Sequence, residues 1–135
     1  MIDGETVVLT PDARSDIDAL RSSEGQARAV MVAFDLLEID GEDIRPLPIE
    51  ERRARLARVL KPRSGRSARA IAAGIQVSEP IVGRGEAMFR EACRMGLEGI
   101  VSKRVGSRYV SGRTRAWLKT KNADFQRRSS EIGLW

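Results

Sequence analysis

Two lysines one residue apart, in Trp117-Leu118-Lys119-Thr120-Lys121, form the most informative local pattern in the sequence. In an extended segment alternate side chains share a face, so Trp117, Lys119 and Lys121 stand on one side and Leu118 and Thr120 on the other. Two ammonium groups about 7 Å apart on a rigid face make a clamp for neighbouring phosphate oxygens. The same pattern also serves as a solvated edge strand that discourages aggregation. Glu98 opens a second segment, Glu98-Gly99-Ile100-Val101-Ser102-Lys103-Arg104, at the junction of a helix end and an apolar strand. A carboxylate there can hold a divalent metal, and the adjacent glycine lets a ligand approach the backbone. The plain alternative is a surface glutamate beside a turn glycine. Lys103 has the opposite strand parity to Glu98, so the two face one site only through a bulge or twist. Phe34 offers a stacking platform for a planar base, while its apolar neighbours make it equally a core residue. Asp3-Gly4-Glu5 reads as a turn ahead of the first strand.

These residues need elements to position them. Thr6 to Leu9 is a short strand ended by Pro11-Asp12. Ser15 is placed to cap a short helix through Arg21, with Ile17 and Leu20 inward, followed by a loop around Gly25. Val30 to Leu37 is a nearly continuous apolar run, as expected of a central strand covered on both faces. Asp40-Gly41 is a tight-turn pair that bends the chain back through Ile44 as a hairpin. A helix is predicted from Ile49 to Leu60, with Ile49, Leu56, Val59 and Leu60 on one stripe and a Glu51–Arg55 pair opposite. Lys61 to Arg69 reads as an exposed basic loop, and Ile71 to Val77 as a weak strand. A second helix runs from Gly85 to Met95, with Met88, Phe89, Ala92 and Met95 inward and Gly96 as a left-handed cap. Strands at Glu98 to Lys103 and Ala116 to Lys121 close an α+β pattern with mostly antiparallel sheets and flanking helices.

Composition bounds the chemistry. A chain of 135 residues suits one modest core. The sequence contains no histidine, which excludes Ser-His and Cys-His nucleophiles and histidine metal sites. The single Cys93 excludes an internal disulfide and a cysteine zinc cluster. Catalysis would therefore rest on carboxylates, lysines, arginines and backbone groups. Net charge is +5, yet residues 1 to 50 carry 12 acidic and 4 basic side chains, while residues 98 to 135 carry 3 and 9. That asymmetry favours a phosphate-rich partner for the C-terminal part, or else reflects arginine as a solubilising surface residue. No apolar run reaches membrane-spanning length and the first residues do not form a secretory signal, so the expected location is cytoplasmic.

Taken in order, the segments resemble the motifs of the ATP-dependent DNA ligases. Asp3-Gly4-Glu5 before an apolar strand is similar to nucleotidyltransferase motif III, and Phe34-Asp35-Leu36-Leu37 to motif IIIa. Glu98 to Arg104 resembles motif IV, and Trp117 to Lys121 resembles motif V. The connecting stretches, Gly85 to Gly96 and Tyr109 to Thr114, are similar to the bacterial end-joining ligase D type. Four motifs in order carry weight that none has alone. The resemblance spans Asp3 to about Arg127 and implies residues 1–127 as the C-terminal part of an adenylation domain of nucleotidyltransferase (ATP-grasp-like) fold, with 128–135 as a tail; in a departure from the family, no OB-fold domain is expected in the chain. RNA ligases and capping enzymes share this motif grammar, but the wording of motifs IV and V is nearer the DNA ligases.

The resemblance implies lysyl-AMP formation from ATP, transfer of AMP to a DNA 5′-phosphate, and sealing by the 3′-hydroxyl. By motif, Glu5 would contact the ribose or help order the metal, Phe34 would stack on adenine, Glu98 would bind Mg²⁺, and Lys119 and Lys121 would contact the α-phosphate. Lys103, Arg104, Arg113 and Arg115 are candidates for DNA contact. Phosphoryl transfer rests on alignment and charge neutralisation, so the lack of histidine is no obstacle. One departure bears on activity. The family's nucleophile lies in a Lys-x-Asp-Gly motif, and none of Lys61, Lys103, Lys119 and Lys121 precedes x-Asp-Gly. The chain alone is thus expected not to self-adenylate, with the missing half supplied by a separate polypeptide. A non-catalytic DNA-binding module and a pseudogene fragment are the competing readings, and DNA handling in a bacterium places the protein near the nucleoid.

Overall fold

The computed structural model describes residues 1–11, 14–16, 18–61 and 74–125. They gather into two compact units, Met1–Pro80 with Arg104–Thr114, and Ile81–Lys103 with the residues from Arg115 on. The expected basic loop beyond Lys61 and the 128–135 tail lie outside the described residues.

In the first unit the apolar run Val30–Leu36 forms β2, the middle strand of three. Strand β1 (Ile2–Val7) pairs with it antiparallel, and β5 (Ile75–Val77) pairs parallel on its other side. Asp3-Gly4-Glu5 lies inside β1 and is not a turn, because the ladder runs from Ile2 opposite Leu36 to Val7 opposite Val30. The first strand therefore begins and ends earlier than its apolar letters indicated. Gly4 is required by close approach: a Cβ there would lie 2.7 Å from the Val32 carbonyl oxygen.

The next segment also departs from expectation. Ser15 makes a bridge to Leu9, and Ser22, not Ser15, caps the five-residue helix α1 (Ser23–Ala27) by accepting from the Gly25 amide. A single turn of 3-10 helix at Ala19–Arg21 precedes it. Gly25 lies inside this helix, where only glycine fits, since a Cβ there would stand 1.9 Å from the Ala19 carbonyl oxygen. Asp40 and Gly41, with φ of 51° and 83°, make the predicted tight turn between β3 (Glu38–Ile39) and β4 (Glu42–Asp43). Helix α2 (Ile49–Leu60) has the predicted bounds, with Glu50 and Glu51 in its first turn favouring the positive end of the helix dipole. It packs on β2 and β5, and Ala33, Leu36, Ile44, Leu56 and Leu60 form the buried cluster.

The second unit sets helix α3 (Gly85–Arg94) against β6 (Gly99–Lys103), which pairs antiparallel with β7 (Trp117–Lys121). Ala92 is buried and Met88 and Phe89 are half-buried, whereas Met95 is exposed, since it caps the helix beyond its last packed turn. Gly96 takes the left-handed conformation at φ 69°. Its amide donates to the Cys93 carbonyl and that of Leu97 to the Ala92 carbonyl, closing the helix as predicted. The whole is α+β with antiparallel pairing dominant, and the described residues form no closed barrel.

Candidate functional site

The β6–β7 hairpin presents the site of the second unit. Gly99 pairs with Lys121, Val101 with Lys119 and Lys103 with Trp117. Directly opposed residues share a face, so Lys103, Lys119, Lys121 and Trp117 all stand on one side. The Lys103 ammonium lies 3.8 Å from the centre of the Trp117 ring, a cation–π contact that fixes the long side chain. Lys119 Nζ donates to Glu98 Oε1 at 2.8 Å. The parity conflict between Glu98 and Lys103 is relieved at Gly99. Its φ of 150° is open only to glycine, and a Cβ there would lie 2.1 Å from the Thr120 carbonyl oxygen. The backbone turns at that point and the Glu98 carboxylate reaches the lysine face.

Asn122, which the sequence reading did not single out, holds this junction. Its backbone amide donates to the Glu98 carbonyl at 2.8 Å and its Nδ2 to the Leu97 carbonyl at 3.1 Å, and the residue is buried. A polar amide directly after the last residue of a strand was the available signal. The face combines three cations with one carboxylate and remains open to solvent at Lys119 and Lys121. An array of this kind offers charge to a polyanion, which would have to take the place of Glu98 on Lys119.

Among the described residues no group of three or more Cys, Asp or Glu side chains gathers to hold a metal ion. Mg²⁺ does not need one, because it keeps several waters and is held by one or two carboxylates plus substrate phosphates. Glu98, beside the lysines that would carry those phosphates, fits that donor set.

Glu5 and Phe34 lie on adjacent strands of the first unit. Glu5 is exposed opposite Val32. The register shifts between Asp3, opposite Asp35, and Gly4, opposite Ala33, so that Phe34 takes the extra place on β2. Phe34 is half-buried, and its carbonyl accepts from Arg53 Nη1 at 2.6 Å. The other Arg53 terminal nitrogen donates to the Ser78 carbonyl, tying β2 to the residue that follows β5.

The two aspartates flanking this bulge would repel, and each has its own partner. Asp35 is fully buried and takes two parallel bonds at 2.8 Å from Nε and Nη2 of Arg52, itself fully buried. Arg52 Nη1 donates in turn to the Leu47 and Ser107 carbonyls. Asp3 Oδ2 accepts from the Tyr109 hydroxyl at 2.9 Å, and the Arg52 guanidinium lies 5.9 Å from the Tyr109 ring centre. Burial, and then the Asp3 carboxylate, push the Tyr109 phenol above its ordinary pKa. The sequence reading missed Arg52 and Tyr109. Arg52 falls on the Ile49–Leu56 stripe of α2, so a charge at an inward position was the legible sign.

Arg104 and Arg113 are exposed in the first unit and Arg115 in the second. The structure thus brings Glu98 together with Lys103, Lys119 and Lys121, and places Glu5 and Phe34 on neighbouring strands.

Comparison with known proteins adds an independent line. A family model described as ATP dependent DNA ligase domain matches residues 1–121. The chain is 38% identical over 123 residues to the multifunctional non-homologous end joining protein LigD of Pseudomonas aeruginosa, covering 89% of this chain and 14% of that protein. It is 35% identical to a probable DNA ligase of Sorangium cellulosum, covering 91% of this chain and 24% of the relative. A solved mycobacterial DNA ligase D complexed with ATP and MES superposes with a TM-score of 0.65 at 30% identity, over 89% of this chain and 37% of that one. The chain therefore spans a quarter or less of these two relatives and just over a third of the solved chain.

Proposed function

The chain belongs to the ATP-dependent DNA ligase family, as an adenylation domain of ligase D type, and on that premise we propose that the β6–β7 face binds the phosphates of ATP. The observation that carries the reading is the shared face of Glu98, Lys119 and Lys121 on the β6–β7 hairpin, held by Gly99 and Asn122. In this reading Lys119 and Lys121 contact the α-phosphate and neutralise its charge. Glu98 releases Lys119 and supplies the carboxylate for Mg²⁺, which when bound would neutralise phosphate charge and orient the leaving group. Phe34 stacks on adenine, and Glu5 contacts the ribose or helps order the metal.

The remaining steps of ligation concern the whole protein. The substrate would be DNA, whose 5′-phosphate accepts AMP before the 3′-hydroxyl seals the break, in the cytoplasm at the nucleoid. None of the four lysines precedes x-Asp-Gly. Covalent catalysis by the family route therefore needs a lysine from elsewhere, in sequence joined to this chain or in a separate polypeptide. The alternatives of a non-catalytic DNA-binding module or a pseudogene fragment make no use of the Glu98–Lys119–Lys121 face for nucleotide.

The test is incubation of the full chain with ATP and Mg²⁺, followed by equilibrium binding and intact-mass measurement. The expected result is non-covalent ATP binding, no lysyl-AMP adduct, and loss of the preference for ATP over tripolyphosphate in Phe34→Ala. Stacking worth roughly 1–3 kcal/mol sets that preference at about 5- to 150-fold. An adduct on a lysine, or ATP and tripolyphosphate bound equally by the unaltered chain, would overturn the reading.

A further inference from the structure

Phe34 lies where both ladders of β2 change. Pairing with β1 steps from Ala33, opposite Gly4, to Asp35, opposite Asp3, and pairing with β5 ends at Ala33 opposite Val77. A bulge bends its strand and re-aims a side chain, so the direction of the half-buried Phe34 ring depends on how the backbone is held at that residue. Two consecutive arginines of α2 grip two consecutive residues of β2 here. Arg52 takes the Asp35 carboxylate, and Arg53 takes the Phe34 carbonyl through Nη1 at 2.6 Å. The second terminal nitrogen of Arg53 donates to the Ser78 carbonyl, and the Ser78 amide donates to the Ala33 carbonyl at 2.8 Å. The guanidinium thus closes a ring of bonds that runs through Phe34, Ala33 and Ser78. Among the described residues Arg53 forms no ion pair, and its buried Nε has no hydrogen-bond partner. A charge without a carboxylate and a buried donor without an acceptor both cost stability. What the side chain supplies is a planar fork with donors at a fixed spacing, which sets two carbonyls relative to each other.

We infer that Arg53 is a positioning residue for base recognition: by fixing the backbone at Phe34 it sets the face that the ring presents to adenine, and with it the preference for ATP over a bare triphosphate. The inference rests on the reading of Phe34 as the adenine platform and adds the residue that aims it. Arg53 acts through the Phe34 carbonyl and not on the nucleotide, so its replacement changes selectivity and leaves the attraction for phosphate as it was. Lysine at the same position keeps the charge but offers a compact ammonium on a flexible stem in place of the fork. Arg53→Lys therefore separates geometry from charge.

The experiment compares the unaltered full chain with Arg53→Lys, Phe34→Ala and the double variant, by equilibrium binding of ATP and of tripolyphosphate. Arg53→Lys is expected to lower the preference for ATP about fivefold or more, with tripolyphosphate affinity within about twofold of the unaltered chain. Once the ring is gone there is nothing to aim, so Arg53→Lys added to Phe34→Ala is expected to change the preference no further. A second readout needs no nucleotide. The chain has three phenylalanines, so labelling with 4-fluorophenylalanine gives three fluorine resonances, and that of Phe34 is identified by its loss in Phe34→Ala. Arg53→Lys is expected to move the Phe34 resonance and to leave those of Phe89 and Phe125, both in the second unit, where they were. An unmoved Phe34 resonance, an undiminished preference, or additive losses in the double variant would each overturn the inference. Equal losses for both ligands, or all three resonances moving together, would mark a merely structural role and overturn it as well. ATP and tripolyphosphate bound equally by the unaltered chain would instead remove the adenine reading of Phe34. In that case a moving Phe34 resonance keeps Arg53 as the residue that aims the ring, and a still one removes that too.

Discussion

Gly99 decides where the Glu98 carboxylate goes. A side chain at this position faces both a φ of 150° and a carbonyl oxygen 2.1 Å away, so Gly99→Ala is expected to destabilise the hairpin by about 1–3 kcal/mol. The loss should appear in thermal unfolding, and ATP binding should weaken with it; an unshifted melting temperature would show that Gly99 is not what turns the backbone. Tyr109 gives a second test at the same scale, because it is the only tyrosine in the chain and its ionisation can be read directly. Its phenol titrates higher in the folded than in the unfolded state. The stability it contributes is therefore complete below about pH 10 and is lost as pH rises past the folded value. A spectroscopic titration should place phenolate formation above pH 10, and the alkaline fall in stability should be shallower in Tyr109→Phe. A midpoint at or below 10 would contradict the burial of the phenol together with its bond to Asp3.

Helix α2 joins the sheet through a charge as well as through leucines. The Arg52–Asp35 pair is fully buried and doubly bonded, so removing one partner strands the other. Arg52→Ala is expected to cost about 3–5 kcal/mol in urea unfolding, and Arg52→Ala/Asp35→Ala much less than the sum of the single changes. Additive losses would mean that the two residues act separately. Leu56→Ala, in the same helix and fully buried, should cost about 2–5 kcal/mol through the cavity it leaves. Periodicity made both long helices legible, because apolar residues recur at the helical spacing along each. The short elements were less so. Strand β1 takes its bounds from pairing with β2, so Asp3-Gly4-Glu5 carries no strand signal of its own, and α1 begins at Ser23 because Ser22, not Ser15, caps it through the Gly25 amide.

For the molecule as a whole, the sequence showed which residues share a face better than how they are held. Alternation alone put Lys119 and Lys121 on one face, and the motif order set Glu98 beside them. What alternation could not show was the turn at Gly99 or the amide of Asn122, which act through backbone geometry. Nor could it show that Lys103 joins the same face by stacking on Trp117. The buried Arg52 and the bond from Tyr109 to Asp3, which link segments far apart in the chain, have no local pattern at all. Charge read along the sequence pointed to a phosphate partner for the basic part. The central claim is that the lysine face of the β6–β7 hairpin binds the phosphates of ATP. Titration of ATP with Mg²⁺ into the full chain and into Lys119→Ala/Lys121→Ala tests it most directly. Charge-assisted hydrogen bonds worth about 1.5–3 kcal/mol each predict at least a tenfold loss of affinity in the double variant. Equal affinity in the two proteins would contradict the account.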